Sequence, residues 1–188
     1  PYGGNQSEPI TIPCYSTNPG DGHKYTPLHL AAYWGYPDVV QFFVESGLEE
    51  VNPAADEFYY NQTPLHLAAI NNYINVVKYL VEKLDNLMIK DTNPEDANGL
   101  TPLHLAANEG HFSIVEYFVE NLNDINPAAG ALNLNWTPFH FAALNGHLNV
   151  VEYYLEQLPM TNKNPGLNGS DVTSQGLTPL HIAAGKGY

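Results

Sequence analysis

The sequence predicts an all-α fold, a helical solenoid in which one pair of short helices is repeated along the chain. The heptad Thr-Pro-Leu-His-Leu-Ala-Ala occurs five times in 188 residues with few changes, beginning at positions 26, 63, 101, 137 and 178. An Asn-Pro dipeptide precedes every heptad, and a β-branched pair follows each of the first four. An internal period of about 20 to 50 residues is typical of repeat proteins, whose units pack only against their neighbours.

The heptad predicts the start of the first helix in each unit. A threonine hydroxyl can accept a hydrogen bond from an unpaired backbone N–H, and proline suits the first helical position, where its missing N–H is not needed. The two alanines favour a helix and let another backbone approach closely. The helix should end near Gly35, Gly110, Gly146 and Gly187, and at Asn72 in the second unit, because these residues tolerate the left-handed conformation.

A second helix is predicted around the β-branched pairs. Each pair begins 13 residues after the capping threonine: Val39-Val40, Val76-Val77, Ile114-Val115 and Val150-Val151. The apolar residues that follow continue one helical stripe, and they are Phe43-Val44, Leu80-Val81, Phe118-Val119 and Tyr154-Leu155. Residues of a capping type, which we expect to begin the helix, precede each pair: Asp38, Asn75, Ser113 and Asn149. A two-helix unit cannot bury this stripe alone, so stacking must supply the core, with Leu103 near its centre.

The Asn-Pro dipeptides divide the chain into units. Residues 1–17 have no helical period and are expected to form an extended leader. The units are then 18–51, 52–92, 93–125 and 126–163, followed by a partial fifth unit, 164–188. The distance from Asn-Pro to Thr-Pro varies between 8 and 14 residues, whereas the spacing between the helices is constant. Insertions therefore fall in turns along one edge, where extra length can serve binding.

The heptad resembles the signature of the ankyrin repeat, T-P-L-H-x-A. This resemblance extends from about residue 18 to residue 188. It implies four full repeats and a truncated fifth, each a turn followed by two antiparallel helices, with the turns forming finger loops. It also implies that the heptad histidines bond to the backbone of a neighbouring repeat. The family favours an intracellular, cytoplasmic location.

The charge of the chain limits its partners. Six lysines and no arginine stand against twenty acidic residues, which gives a formal net charge of −14. Nucleic acids and anionic membranes bind proteins largely through Lys and Arg, so neither is an expected partner. A protein with a basic or neutral surface fits better. No run approaches the roughly 18 apolar residues of a membrane span, and the single cysteine, Cys14, excludes an internal disulfide and a thiolate zinc site.

Four N-x-S/T sequons are candidate glycosylation sites: Asn5, Asn61, Asn135 and Asn168. Two of them use the capping threonine of the heptad, so half of this signal follows from the repeat itself. Use of the sequons would require a secreted protein. An extracellular location therefore stays open as the alternative.

The chain has eight histidines, but their arrangement does not predict a metal site or an enzyme. The five heptad histidines are equivalent positions on stacked helices, so they should lie roughly 8 to 10 Å apart. Zinc needs its donor nitrogens within about 2.1 Å of the ion. No combination of nucleophile, base and orienting group is visible outside the repeated scaffold, and Gly185-Lys186-Gly187 lacks the spacing of a phosphate loop. We expect no catalysis, no metal and no cofactor.

The positions that vary between otherwise similar repeats are the candidate protein-binding residues. The resemblance to ankyrin repeats places them on the concave helix face and at the turn tips. They are Tyr25, Tyr33, Trp34, Gln62, Ile70, Asn71, Leu100, Asn108, Glu109, Trp136, Leu144 and Asn145. Exposed Tyr and Trp are frequent energetic anchors of interfaces, so Tyr25, Tyr33, Trp34 and Trp136 should form an aromatic strip. Phe58, Tyr59 and Tyr60 either join this surface or pack between turns.

The sequence is compatible with two functions, that of a binding scaffold and that of a structural protein. The first is a non-catalytic protein-interaction scaffold that binds a partner through the concave face and the turn tips. The alternative is a structural protein whose open solenoid ends stack head to tail into filaments, because an array that ends within a repeat exposes apolar surface. Truncation of a longer array would explain the same exposure.

Overall fold

The structure is a computed structural model that describes residues 25–47, 50–86, 93–130, 135–158 and 177–188. These residues form nine α-helices and one 3₁₀ turn, Glu57–Tyr59, with no β-strand. The first helices of the units are α1 (Pro27–Tyr33), α3 (Pro64–Ile70), α5 (Pro102–Glu109), α7 (Pro138–Leu144) and α9 (Pro179–Lys186). The second helices are α2 (Pro37–Ser46), α4 (Ile74–Asn86), α6 (Phe112–Asn121) and α8 (Leu148–Gln157). The predicted all-α repeat fold is confirmed.

The helices form two layers. The first helices pack side by side in chain order, the second helices do the same, and each first helix packs against the second helix of its own unit. Adjacent first helices are in closer contact than adjacent second helices. The small side chains of the Ala-Ala pairs permit this approach, and Ala68, Ala69, Ala106 and Ala107 are fully buried. The first helices therefore form the more closely packed layer, on the side that the resemblance to ankyrin repeats implies is concave, and we call this side the concave face.

The N-termini of α3 and α5 are each capped by two side chains. In α3, Pro64 has no N–H to satisfy, the N–H of Leu65 donates to Oδ1 of Asn52 at 3.0 Å, and the N–H of His66 donates to Oγ1 of Thr63 at 3.5 Å. Oδ1 of Asn93 and of Asn126 accept equivalent bonds in the next two units. The helix starts at Thr-Pro are confirmed. The asparagine of Asn-Pro is a second cap that the sequence pattern did not reveal.

The predicted ends of the first helices are also correct. Gly35, Gly110, Gly146 and Gly187 have φ between 70° and 83°, and Asn72 has φ 63°. All five lie in the left-handed region, as a helix C-terminal cap requires.

The predicted starts of the second helices are wrong by one residue. These helices begin at Pro37, Ile74, Phe112 and Leu148, so Asp38, Asn75, Ser113 and Asn149 are second helical residues and not caps. A backbone turn, and not a side-chain cap, leads the chain into the second helix. After the left-handed Gly110, His111 adopts φ −76° and ψ 76°, and the N–H of Phe112 bonds to the Gly110 carbonyl at 2.9 Å. This three-residue turn directs the chain into α6 without a side-chain cap.

The core lies between the two layers and is complete in the central units. Leu103 is fully buried, and the apolar stripes of α4 and α6 are buried throughout. Two stripe residues of the outer units are not buried as predicted, since Val39 is 41% and Leu155 is 40% exposed. Val150, the equivalent of Val39, is buried because α6 packs before α8, and Val119, the equivalent of Leu155, is buried because α8 packs after α6. Within the described residues, no second helix precedes α2 or follows α8.

Finger loops connect the units along one edge, as expected. Backbone bonds close them, from the N–H of Ala55 to the carbonyl of Gln62 at 3.0 Å and from the N–H of Ala129 to the carbonyl of Trp136 at 2.8 Å. Neighbouring fingers are joined as well, since the N–H of Ala97 donates to the carbonyl of Tyr60 at 2.7 Å. The leader 1–17, Cys14, Asn5 and Asn168 lie outside the described residues, and the exact unit boundaries stay a prediction.

Candidate protein-binding surface

The inner face of the first unit carries an exposed aromatic pair. Tyr33 ends α1 and Trp34 follows it, with 40% and 49% of their surfaces exposed. Their ring centroids are 5.1 Å apart in an edge-to-face arrangement, which is a favourable geometry for aromatic rings. Both predicted binding residues therefore present their rings together at the edge of the concave side.

The same face becomes polar further along the array. Nδ2 of Asn145 donates to the backbone carbonyl of Asn108 at 3.0 Å and to its Oδ1 at 2.9 Å. Nδ2 of Asn108 in turn donates to Oε1 of Glu109 at 2.8 Å. These bonds connect the ends of α5 and α7. They leave an ordered row of amide and carboxylate groups on the surface.

The candidate residues of the second unit, and Leu144 in the fourth, are partly covered. Ile70, Asn71 and Leu144 are each half-buried at the ends of α3 and α7. Nδ2 of Asn71 donates to the carbonyl of Leu67 in its own helix at 2.9 Å. These side chains offer less surface to a partner than Trp34 does.

The turn-tip aromatics pack within the array to a larger extent than the sequence predicts. The ring of Tyr25 stacks on His29 and lies 4.5 Å from the ring of Tyr59. Burial, and then the neighbouring Tyr33 and Tyr59, raise the pKa of the Tyr25 hydroxyl to about 12. Tyr25, Tyr33 and Trp34 thus belong to one cluster in the first unit.

Trp136 lies three units further along and does not extend this cluster. Its indole packs 5.6 Å from the ring of Phe141 and 6.0 Å from that of His140. The indole nitrogen is buried and has no hydrogen-bond partner among the described residues. Gln62 and Leu100, the other candidates at turn tips, are half-buried, and their backbone carbonyls are engaged by histidines of the preceding unit.

The aromatic residues of the second finger, Phe58 to Tyr60, divide between packing against a neighbouring turn and exposure on the surface. Tyr59 packs against Tyr25, whereas Phe58 and Tyr60 are largely exposed. Tyr60 and Asn61 both have left-handed φ angles, 56° and 52°, which turn the finger back towards α3. Phe58 and Tyr60 therefore add exposed aromatic surface beside the cluster of the first unit.

The heptad histidines join neighbouring units. Nε2 of His29, His66, His104 and His140 lies 3.0 to 3.2 Å from the carbonyl oxygen just before the capping threonine of the next unit. Their Nδ1 atoms accept the backbone N–H of the threonine in their own unit at 3.0 to 3.2 Å. Since Nδ1 accepts, Nε2 carries the proton and donates it to the carbonyl. The expected backbone bonds between repeats are confirmed.

Three of these histidines, His29, His104 and His140, are neutral at physiological pH. Burial lowers the pKa of His29, His104 and His140 from the ordinary value of 6.5 to about 4. A second proton on Nδ1 would also point at the threonine N–H that this nitrogen accepts. No three His, Cys, Asp or Glu side chains come together as a metal site would require within the part of the chain that the structure describes.

A second set of contacts joins the units at the end of the first helices. Nε2 of His111 lies 2.9 Å from the carbonyl of Ile70, and Nε2 of His147 lies 2.8 Å from that of Asn108. Each bond reaches back to the preceding unit. Every central unit is thus tied to its neighbours at both ends of its first helix.

A comparison with family models gives the same result as the geometry. The model described as ankyrin repeats matches three times, at residues 10–91, 83–166 and 129–188. The chain belongs to the ankyrin repeat family. Ankyrin repeats generally mediate protein–protein interactions and are typically not catalytic. A comparison with curated proteins finds no match, and no helix in the described residues of this ankyrin repeat array is both long and apolar enough to cross a membrane.

One feature of the ankyrin array was missed by the sequence reasoning. The residue three positions after the start of each β-branched pair is always aromatic: Phe42, Tyr79, Tyr117 and Tyr153. These residues form a column on the second helices, on the opposite side from the concave face. The constant spacing was visible in the sequence, but it was indistinguishable from the buried stripe until the structure showed that Phe42 is exposed and the three tyrosines are only half-buried.

Proposed function

We propose that this ankyrin repeat array is a non-catalytic scaffold that binds a partner protein through its concave face and the adjoining finger tips. The observation that supports this most is the exposed pair Tyr33 and Trp34 beside Tyr25. Large aromatic side chains on a rigid element, partly desolvated before binding, are typical energetic anchors of interfaces. Exposed Phe58 and Tyr60 on the adjacent finger enlarge the same apolar surface.

The concave face is prepared for binding before a partner arrives. Hydrogen bonds between Asn145, Asn108 and Glu109 hold the polar part in place, and the histidine bonds hold adjacent helices together. A preorganised surface loses less conformational entropy on binding. We therefore expect the aromatic end to supply affinity and the ordered amides to supply specificity.

The acidity of the array favours a partner with a basic or neutral surface. A net charge of −14 accelerates encounters with a positively charged protein, and this attraction weakens as salt screens it. Affinity for the natural partner should decrease between about 20 mM and 150 mM salt, as measured by titration calorimetry. Affinity that is independent of salt would contradict the electrostatic part of the proposal.

Replacing Trp34 tests the concave face directly. Trp34→Ala should remove partner binding, because it deletes an exposed anchor, and it should change the melting temperature little, because half of the side chain is already in water. Phe42→Ala is the matched control: Phe42 is an exposed aromatic of the same unit, on the opposite helix. Proteins captured from a cell extract by each immobilised variant are compared by quantitative mass spectrometry, and the affinity of each candidate is then measured in isolation.

The two variants give distinguishable results. A true concave-face partner is retained by Phe42→Ala and lost by Trp34→Ala. Equal retention by both variants would contradict the assignment of Trp34 as an anchor. A large decrease in melting temperature for Trp34→Ala would instead show that the Trp34 side chain belongs to the core.

Head-to-tail assembly is the second candidate, and one observation favours it. Leu180 in α9 is 72% exposed, whereas its equivalents Leu28, Leu65 and Leu103 are fully buried. Val39 and Leu155 expose apolar surface on the outer second helices. If these surfaces join copies end to end, light scattering should show a mass that grows with concentration, and Leu180→Gln should reduce it. A constant monomer mass would exclude filaments.

A further inference from the structure

The second-helix face, opposite the concave side, carries two parallel columns of equivalent residues. The aromatic column is Phe42, Tyr79, Tyr117 and Tyr153, and the acidic column is Glu45, Glu82, Glu120 and Glu156. Each unit contributes one residue to each column, and the second helices stack side by side, so the members of a column follow one another along this face. Each tyrosine therefore has carboxylates close by, from its own helix or from the preceding one.

The first two tyrosines already bind ammonium groups of this chain. Nζ of Lys83 lies 5.3 Å from the ring centroid of Tyr79 and 3.6 Å from Oε1 of Glu45. Nζ of Lys78 lies 5.5 Å from the ring centroid of Tyr117. A cation within about 6 Å of an aromatic face is attracted by the electrons of the ring. A ring of the aromatic column thus holds a lysine in two successive units, in the first of them together with a carboxylate.

The third tyrosine, Tyr153, has the same surroundings but lacks the lysine. The residue of α6 equivalent to Lys78 is Glu116, and the residue of α8 equivalent to Lys83 is Gln157. Burial raises the pKa of the Tyr153 hydroxyl, and the nearby carboxylates of Glu120, Glu116 and Glu156 raise it further. Within the described ranges, no lysine lies over this ring. Three carboxylates therefore lie near a ring whose equivalents Tyr79 and Tyr117 each carry a cation.

The ring of Tyr153 is also fixed in place. It lies 5.5 Å from the ring of Phe112 in an edge-to-face arrangement, and it packs against the core between α6 and α8. A fixed ring does not have to be ordered when a cation arrives.

We propose that Tyr153, together with Glu116, Glu120 and Glu156, binds a lysine or arginine side chain of a partner, and that the second-helix face of α6 and α8 is a docking surface for a basic protein segment. The charges are complementary, because α6 and α8 contain four carboxylates, Glu116, Glu120, Glu152 and Glu156, and neither helix contains a lysine or an arginine. This surface is separate from the concave face and does not depend on the function proposed there.

The test uses an N-acetylated octalysine peptide as the probe and the whole chain as the target. Amide chemical shifts, followed by nuclear magnetic resonance at about 20 mM salt, should change mainly in α6 and α8. Affinity should decrease about three- to tenfold in Tyr153→Leu and in the double variant Glu120→Gln/Glu156→Gln. Tyr153→Phe, which keeps the ring, should bind as the original chain does.

Two controls separate this site from net charge and from the concave face. Glu57→Gln/Glu95→Gln removes the same charge from exposed finger positions and should leave the affinity within about twofold. Trp34→Ala should not change it. Equal losses in the two double variants, shifts confined to the concave face, or equal binding of an octaglutamate peptide would each overturn the proposal. If Tyr153→Leu unfolds in a thermal melt, the glutamate variants, which lie on exposed positions, still decide the outcome.

Discussion

At the scale of single residues, equivalent positions of the repeat have different surroundings. The second residue of the first helix is leucine in four units. It is fully buried in three of them, as Leu28, Leu65 and Leu103, and mostly exposed to solvent in the fourth, as Leu180. The residue type and its helical position are the same. The energetic role of each leucine therefore depends on which neighbouring helices cover it.

Leu103→Ala should destabilise the array strongly. Truncating a fully buried leucine loses its transfer free energy and leaves a cavity, which together cost about 2 to 5 kcal/mol. The matched control is Leu180→Ala, which should cost less than about 0.5 kcal/mol because Leu180 is mostly in water already. Urea denaturation measures both free energies of unfolding. Similar costs for the two substitutions would contradict the burial pattern described above.

At the scale of elements, each helix pair depends on a close approach between units. The cap glycine Gly110 has φ 73°, and a Cβ atom built on it would lie 2.4 Å from Nδ1 of His147 in the following unit. That histidine bonds to the carbonyl of Asn108 at 2.8 Å. Glycine is therefore needed at this position for two reasons, the backbone angle and the space for the neighbouring ring.

Gly110→Ala should cost more than the same change at Gly47, the cap of α2. Both glycines are left-handed, but a Cβ atom on Gly47 would have no neighbour within 4 Å. Gly47→Ala should cost about 1 to 2 kcal/mol from the backbone alone. Gly110→Ala should cost at least about 1 kcal/mol more, because the His147 ring must move and its hydrogen bond is lost. Equal changes in the urea midpoint would show that the ring can move at no cost.

At the scale of the whole molecule, stability arises mainly at the interfaces between units. Neutral histidines bridge each pair of neighbours, and no unit buries its apolar stripe without the next one. Protonation of these histidines must therefore oppose folding along the whole array.

The array should lose stability as the pH falls below about 6.5. The pKa of His29, His104 and His140 is about 4 in the folded protein and about 6.5 in the unfolded chain. Above pH 6.5 both states are neutral, so the contribution is fully present there. Between the two values the unfolded state binds more protons, so each histidine removes up to about 1.4 kcal/mol per pH unit. Thermal melts at pH 7.5 and 5.5 measure this loss, with most carboxylates still charged.

His104→Gln provides the internal comparison for that titration. The variant should be less stable than the original chain at pH 7.5, since a bridge between units is weakened. It should nevertheless lose less stability between pH 7.5 and 5.5, because one titrating group has been removed. The same pH dependence in both proteins would exclude His104 as a contributor.

Much of the fold could be predicted from the sequence because its signals are local. Thr63, Pro64 and Asn72 act within one helical turn of themselves, and their roles were predicted correctly. The start of α6 was placed one residue too late because a backbone turn at His111 replaces the side-chain cap. The candidate surface was predicted less completely. The sequence pattern predicts that Trp34 and Trp136 are both exposed, but only Trp34 is, because Trp136 packs against Phe141.

The sequence by itself determined the family, the helix pairs and the positions of the finger loops, because caps, helix propensity and the repeat period depend on residues close together in the chain. Only the tertiary structure decided which of several equivalent side chains are covered. Burial of Leu103, exposure of Leu180, and the acidic surroundings of Tyr153 depend on which neighbouring helices pack beside each residue. Glu116 and Glu120, for example, lie in α6 more than 30 positions before Tyr153, beyond the reach of any local pattern.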